Sequence, residues 1–306
     1  MNGQIEFLKM AAPFLRLYRN KTFVIKLGGS ILTGDEILDS VAMQCALLKV
    51  LGLRLVMVHG GGAQASELSR RLGFEPEIVA GRRVTDDAAL EVVKMTFAGK
   101  VNVELLSALR RQGALAVGLS GMDADLIVAN RRPPVSILDD DGAKRKVDFG
   151  HVGDVKSVNA TILNDLLDKG YLPVVASLGA DEQGRPLNIN ADSLAEAIAT
   201  SMQAKKLIFL TDQPGILRNP HDPSTLVPFA DSQDLQSLIA SGVVSGGMRP
   251  KVEACIRAST SGVKRTHIID GAASDSLLTE ILTGEGCGTM IVGEREKKLY
   301  QEQKLV

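Results

Sequence analysis

The 306-residue sequence predicts an α/β fold built on a largely parallel sheet covered on both faces. Strand-like apolar runs alternate with helical patterns along the whole chain. Glycine-rich stretches fall at the ends of those strands or at helix starts, where ligands of such sheets gather. Hydrophobic residues make up 45% of the chain, enough for a large core in one domain or two lobes.

Composition excludes several classes. The net charge of −1 gives no electrostatic footprint for nucleic acid, and with no Trp and 4% aromatics there is no base-stacking platform. No apolar run approaches the ~18 residues needed to span a membrane. Cys45, Cys255 and Cys287 lie far apart without a CxxC pair or other ligand spacing. They read as reduced core residues of a cytoplasmic protein, and no metal site is expected.

The elements follow in order. Residues 4–19 read as a helix carrying Ile5, Phe7, Leu8, Met10, Phe14, Leu15, Leu17 and Tyr18, more apolar surface than one face requires, with Pro13 expected to kink it. The stretch is too interrupted for a signal-peptide core. It either covers its own domain or pairs with another subunit. A strand at 22–27 then delivers Lys26-Leu27-Gly28-Gly29-Ser30, and after a helix at 36–52 a second at 54–59 delivers His59-Gly60-Gly61-Gly62. Three successive glycines cost conformational entropy, and one tight turn explains only one of them. An anionic ligand lying on bare backbone N–H groups explains all three. His59 reads as a strand-end hydrogen bonder.

A helix at 63–72 precedes Gly81-Arg82-Arg83-Val84-Thr85-Asp86. There Thr85 or Asp86 can cap a long helix at 86–111, and an Arg beside the cap can fork onto a carboxylate. Strands at 115–119 and 126–130 follow. Arg131-Arg132-Pro133-Pro134 and Asp139-Asp140-Asp141-Gly142 then mark turns on a hairpin-like excursion over 131–158. A helix at 159–169 and a strand at 172–177 restore the rhythm. Two lobes sharing one sheet are expected to meet near residue 180.

Asn188-Ile189-Asn190-Ala191-Asp192 opens a helix at 192–203, with alternation placing the three polar residues on one face. Asp192 can cap that helix or order nearby lysines. The strand at 206–211 ends in Thr211-Asp212-Gln213-Pro214-Gly215, an acidic turn suited to a ribose or Mg²⁺ neighbourhood or to a plain Asx-turn. An irregular loop at 217–231 and a helix at 232–241 lead to Ser245-Gly246-Gly247-Met248-Arg249-Pro250-Lys251, which opens a helix at 250–261 with Pro250 close to its first position. Lys251 sits where the helix dipole disfavours a cation, so an anion is expected beside it. A strand at 266–269, a helix at 274–283 and a strand at 289–292 complete the alternation. Two lysines among glycine-rich strand ends argue for phosphoryl transfer. Yet no GxxxxGK[ST] loop, HRD or DFG occurs, so the two commonest scaffolds for that chemistry are excluded.

These elements, in this order from Lys26 to about Val292, resemble the amino acid kinase family, and within it the branch that phosphorylates N-acetyl-L-glutamate. The resemblance also rests on Gly118-Leu119-Ser120-Gly121-Met122-Asp123, Val152-Gly153-Asp154-Val155 and Gly286-Cys287-Gly288-Thr289-Met290. It implies an open three-layer αβα sandwich, with an acyl-amino-acid lobe over 21–180 and an ATP lobe over 181–306. It implies ATP, with Mg²⁺ carried mainly on the nucleotide phosphates. By resemblance, Lys26 and Lys251 flank the transferring phosphoryl group and Asp192 holds them. Gly28, Gly29, Gly60, Gly61 and Gly62 offer backbone to phosphoryl group and substrate. Arg83, Asn188 and Asn190 grip the substrate, and Thr211, Asp212, Gly215, Gly247 and Met248 lie by the nucleotide. The implied reaction is the second step of arginine biosynthesis.

Ala63, Arg249 and Gln213 depart from the family pattern, and Arg249 adds charge near the expected reaction centre. Arg249 leaves open a kinase for glutamate or aminoadipate linked to a carrier protein; a sensing relative that binds arginine or nucleotide without turnover is the other alternative, against which the retention of Lys26, Asp192 and Lys251 argues. In the arginine-sensitive branch, an added N-terminal helix joins dimers into a hexamer. Residues 1–20 supply such an arm here, and Tyr18, His267, Glu280 and Gly286, with the loop Gly284-Glu285-Gly286, match that branch's effector pocket. A homodimer or homohexamer inhibited by arginine is the corresponding expectation.

Overall fold

A computed structural model describes residues 2–138, 144–284, 286–293 and 297. Its strands in the first half are β1 (Thr22–Leu27), β2 (Arg54–His59), β3 (Ile78–Val79), β4 (Arg82–Arg83), β5 (Ala116–Ser120), β6 (Ile127–Arg131), β7 (Val135–Leu138), β8 (Lys144–Val147) and β9 (Val152–Val158). Those in the second half are β10 (Leu172–Ala176), β11 (Leu178–Ala180), β12 (Pro186–Ile189), β13 (Lys206–Thr211), β14 (Phe229–Ala230), β15 (Arg265–Asp270) and β16 (Thr289–Val292). The helices are α1 (Asn2–Tyr18), α2 (Asp35–Val50), α3 (Gly62–Arg71), α4 (Asp87–Lys94), α5 (Asn102–Arg111), α6 (Thr161–Asp168), α7 (Ala191–Ser201), α8 (Ser232–Ala240), α9 (Met248–Thr260) and α10 (Ser276–Leu282).

Eight strands form one sheet in the order β14-β16-β15-β13-β1-β2-β10-β5. Every pairing in it is parallel except β15 with β16. The central strands are buried along nearly their whole length, as a sheet covered on both faces requires. Alternation along β1 assigns the two faces. Phe23, Ile25 and Leu27 join the core beneath α1, α2, α5 and α10. Val24 joins the core beneath α6, α7, α8 and α9. Lys26 shares Val24's face, so its stem must run toward α7.

The structure corrects several expectations. The segment read as one helix over 86–111 is α4, a π-helical stretch Met95–Val101, and α5. A hydrophobic period near 3.6 does not distinguish a π insert, which adds one residue to a turn. Of the two candidate caps, Thr85 and Asp86, it is Asp86 that caps α4, its Oδ1 accepting from the Ala89 N–H. The strand expected at 126–130 does not extend the large sheet. As β6 it closes a small four-stranded barrel with β11, β12 and β9. Of its other strands, β9 lies in the segment expected to make a hairpin-like excursion, and β11 and β12 lie where no element was expected. Helix α1 runs through Pro13, and Pro250 is the third residue of α9. In the 131–158 excursion β7 pairs with β8, while Asp139-Asp140-Asp141-Gly142 lies outside the described residues. Cys45, Cys255 and Cys287 are all free. Among the described residues no helix is long and apolar enough to cross a membrane.

Candidate active site

The parallel strands bring their carboxyl ends, and the glycine turns with them, to one edge of the sheet. Lys26 on β1 pairs laterally with Val58 on β2 and Phe209 on β13. Two residues on, the Gly28 N–H donates to the Leu210 carbonyl at 2.8 Å. A Cβ on Gly28 would lie 2.7 Å from that same oxygen, so only glycine lets β1 and β13 close up beside Thr211. On the other side of β1, the β2 turn places Gly60 against Ala191 at the start of α7.

Helix α7 then delivers the central carboxylate. Its N-cap is Asn190, whose Oδ1 accepts from the Asp192 and Ser193 N–H groups at 3.0 Å each. Of the two roles open to Asp192, capping therefore falls to Asn190, and the turn takes Asn188, Asn190 and Asp192 off a common strand face. Freed from capping, Asp192 reaches back to the sheet. Its Oδ1 is 2.7 Å from Lys26 Nζ and its Oδ2 is 3.4 Å from Lys251 Nζ. Lys251 lies in the first turn of α9 and also donates to the Gly247 carbonyl at 3.1 Å. The expected anion beside Lys251 is thus Asp192.

All three groups are largely removed from water: Lys26 is 6% exposed, Asp192 5%, and the Lys251 side chain 15%. Burial pulls the Lys26 pKa down, and Lys251 adds to that, while Asp192 opposes both. Burial pushes the Asp192 carboxyl up, but the two ammonium groups outweigh it and hold its pKa below the usual range. One carboxylate against two cations leaves an excess positive charge in a site of low exposure. Such a site favours an incoming anion.

Arg83 leaves the β3–β4 hairpin, whose two-residue turn has Ala80 at φ 48° and Gly81 at φ 73°. Its Nη2 donates to the Gly62 carbonyl at 2.9 Å and to Ser66 Oγ at 2.6 Å, which ties it to the glycine turn. Its Nη1 is buried and finds no hydrogen-bond partner among the described residues. A guanidinium presenting one satisfied and one open nitrogen suits a carboxylate. Asn188 Nδ2 donates to Thr85 Oγ1 at 3.1 Å, linking the barrel to the start of α4. Thr211 Oγ1 donates to Asp212 at 3.1 Å, and Gly215 packs on Thr289, whose Oγ1 accepts from the Ile216 N–H. Gly247 and Met248 begin α9. Arg249 turns away from the lysines, donating to Glu253 at 2.8 Å on the exposed side of α9.

A second cluster lies around β15. His267 is within that strand, opposite Ile208 on β13. Its Nδ1 is 2.5 Å from Glu280 Oε1 on α10, and Glu280 Oε2 accepts from the Cys287 N–H at 2.7 Å. Gly286 sits directly over that carboxylate. Burial, aided by Lys206, pulls His267 down to about 4, so it is neutral and donates Nδ1–H. Burial opposes ionisation of Glu280, yet its hydrogen bonds from His267 and Cys287 prevail and hold it at about 2. Tyr18 is buried edge-on to Phe23, with Lys206 Nζ 5.1 Å from its ring centre. Glu285 lies outside the described residues.

Sequence reasoning missed Ser66, Ser177 and Asn102. Ser177 follows β10 directly, beside Gly60, and its buried hydroxyl has no partner among the described residues. Neither serine carries a signal of its own. Asn102 does: a poor helix former stands inside a long apolar helical pattern.

Residues 21–270 match the amino acid kinase family. The chain is 45% identical over 285 residues to the acetylglutamate kinase of Symbiobacterium thermophilum, covering 93% of this chain and 96% of that one. With that of Methanothermobacter thermautotrophicus it shares 42% over 288 residues, covering 94% and 98%. Among solved structures it is similar to an N-acetylglutamate synthase of Neisseria gonorrhoeae complexed with coenzyme A and N-acetyl-glutamate, at a TM-score of 0.80 and 30% identity. That likeness covers 95% of this chain but spans only 63% of the synthase.

Proposed function

We infer the chemistry of the site from the premise that the chain belongs to the amino acid kinase family and is a phosphotransferase. The acceptor is the γ-carboxylate of N-acetyl-L-glutamate, the reaction named by the acetylglutamate kinases that match it along nearly their whole length. ATP is the donor, entering with its Mg²⁺ as one substrate. The observation that carries the site assignment is the buried Lys26–Asp192–Lys251 triad at the carboxyl edge of the sheet.

In this reading the γ-carboxylate attacks the γ-phosphorus. A carboxylate O–P bond forms, the bond to the β-phosphate bridging oxygen breaks, and ADP departs. A carboxylate is already nucleophilic, so the protein supplies alignment and charge, with no covalent enzyme intermediate. Lys26 and Lys251 approach the phosphoryl group from β1 and α9 and offset its growing charge. Asp192 fixes the spacing of the two ammonium groups. Gly29, Gly60 and Gly61 present backbone N–H groups, whereas the Gly28 N–H is taken by the Leu210 carbonyl and this glycine serves the close approach of β1 and β13. Arg83 holds a substrate carboxylate through its open Nη1, and Asn188 and Asn190 hold the remaining polar groups. Thr211, Asp212, Gly215, Gly247 and Met248 border the nucleotide. The acyl-amino-acid side corresponds to residues 21–180 and the nucleotide side to 181–306. A cytoplasmic setting fits three free cysteines.

Trapping the acyl phosphate with hydroxylamine tests this. Hydroxamate should form with ATP, Mg²⁺ and N-acetyl-L-glutamate, and not with free glutamate or aspartate. Product with another acyl acceptor alone would overturn the substrate assignment.

The β15 cluster supports arginine as an inhibitor. His267 Nε2 is buried without a partner among the described residues, a lone pair in want of a donor. With the Glu280 carboxylate beside it, it suits a guanidinium or ammonium group. Turnover unchanged by arginine at millimolar concentration would exclude this part alone.

A further inference from the structure

The glycine turn after β2 is held from beneath by two side chains that touch no expected substrate group. His59 closes β2 and is fully buried. Its Nδ1 is 2.7 Å from the Gly60 carbonyl oxygen, and its Nε2 is 3.1 Å from Asn102 Nδ2. Asn102 is the first residue of α5, directly after the π-helical stretch, and is 4% exposed.

The proton positions follow from chemistry. Asn102 Nδ2 also faces the carbonyl oxygens of Leu119 at 3.5 Å and Val174 at 3.4 Å. An amide oxygen turned to that side would meet two acceptors, so the nitrogen belongs there. An amide nitrogen only donates. His59 Nε2 must therefore be the lone pair, and the ring proton sits on Nδ1, aimed at the Gly60 carbonyl. Burial pulls His59 down to about 4 against the opposing pull of its hydrogen bond to the Gly60 carbonyl, so the ring is neutral at working pH.

The same stretch braces the other side of the turn. A Cβ on Gly61 would lie 2.8 Å from the Phe97 ring, so the Gly61 backbone rests on a side chain from the π-helical segment. A Cβ on Gly118 would lie 2.0 Å from Asn102 Oδ1, so the neighbouring strand is cut back to admit that amide. Carbonyl and N–H of one trans peptide point oppositely. Pinning the Gly60 oxygen thus fixes the direction of the Gly61 N–H.

We propose that Asn102 and His59 are positioning residues for phosphoryl transfer: the Asn102 amide holds the imidazole in its Nδ1–H form, and that proton anchors the Gly60 carbonyl so that the Gly61 N–H faces the transferring group. This rests on the reading that the glycine turn lines the phosphoryl site.

Two measurements on the full-length protein test it. Two-bond ¹⁵N–¹H correlations of histidine-labelled protein near neutral pH, assigned by loss of one signal set in His59→Asn, should show His59 protonated on Nδ1 alone. An Nε2–H ring or a cation would overturn the proposal. This readout needs no turnover, so it stands or falls apart from the acceptor assignment. Kinetics then compare His59→Asn, whose amide nitrogen can replace Nδ1, with His59→Leu, which fills space without donating. His59→Leu should lower kcat about tenfold or more with little change in KM for ATP, and His59→Asn should recover most of it. Leucine performing as well as asparagine would reduce the pair to packing and overturn the proposal. Should His59→Leu fail to fold, Asn102→Leu takes its place. It should mix the two tautomers and lower kcat, and an unaltered tautomer with unaltered kcat would count against the assignment.

Discussion

At the scale of single residues, the candidate site is a charge arrangement, and its members should separate in kinetics. In the proposed function, Lys26 and Lys251 act on charge that grows during transfer. Lys251→Ala and Lys26→Ala should therefore depress kcat by about 100-fold or more while changing KM for N-acetyl-L-glutamate little. Arg83 is tied to Gly62 and Ser66 with Nη1 open, and under the same proposal it grips ground and transition states alike. Arg83→Ala should mainly raise KM for the acyl amino acid. Steady-state kinetics on the three variants check this, and a reversed pattern would exchange the roles. Lys26 and Lys251 were legible in the sequence because each stands in a glycine-rich strand end or helix start. Asp192 was legible only as a choice between capping and ordering lysines. Which of the two it does depends on Asn190 taking the cap, a competition between adjacent polar side chains that spacing cannot settle.

At the scale of elements, all eight predicted strands exist, yet the barrel of β6, β9, β11 and β12 was not seen. Buried central strands announce themselves as apolar runs. Short strands such as β11 and β12, three and four residues long, pair mainly through backbone and leave little side-chain pattern. The same limit hid how α10 starts. Its N-cap residue Asp275 is left-handed, at φ 54°, and makes no side-chain cap. Gln44, buried on α2, caps it from outside: its Oε1 accepts from the Leu277 and Leu278 N–H groups at 3.0 and 3.3 Å. Gln44→Leu leaves one buried and one part-buried donor unpaired and should cost ~1–3 kcal/mol of stability. Denaturant unfolding measures the loss, and an unchanged midpoint would show that the α2–α10 contact does not depend on this amide.

At the scale of the whole molecule, pH should act through the buried histidines. His59 and His267 are held near 4 by burial, against 6.5 in the unfolded chain. Protons thus bind the unfolded state more tightly. The stability involved is fully present above pH 6.5 and is lost as pH falls toward 4, by up to ~3 kcal/mol for each residue. Glu280, held at about 2 against 4.5, extends the loss further into acid. Unfolding midpoints measured across this range should fall steadily below pH 6.5, and a flat profile down to pH 5 would contradict neutral, buried rings. Assembly is the remaining question at this scale, and it turns on α1. The helix is anchored at its C-terminal end: Ala11 and Tyr18 are in the core, with Phe14 and Leu15 packed against it. Met10 at 58% and Leu17 at 49% are exposed on α1, as are Leu47 at 39% and Val50 at 83% on α2. Removing residues 1–19 would take out Tyr18 and uncover Phe23, a loss of ~3–5 kcal/mol for the aromatic ring alone. Cutting residues 1–9 spares that anchor. If α1 is the arm that joins dimers, this shorter truncation should lower the mass in solution from hexamer to dimer, with turnover and unfolding midpoint retained and arginine inhibition relieved. Light scattering on the two proteins decides it. A full-length chain that is already a dimer, or a truncated one that stays a hexamer, would confine α1 to covering its own sheet.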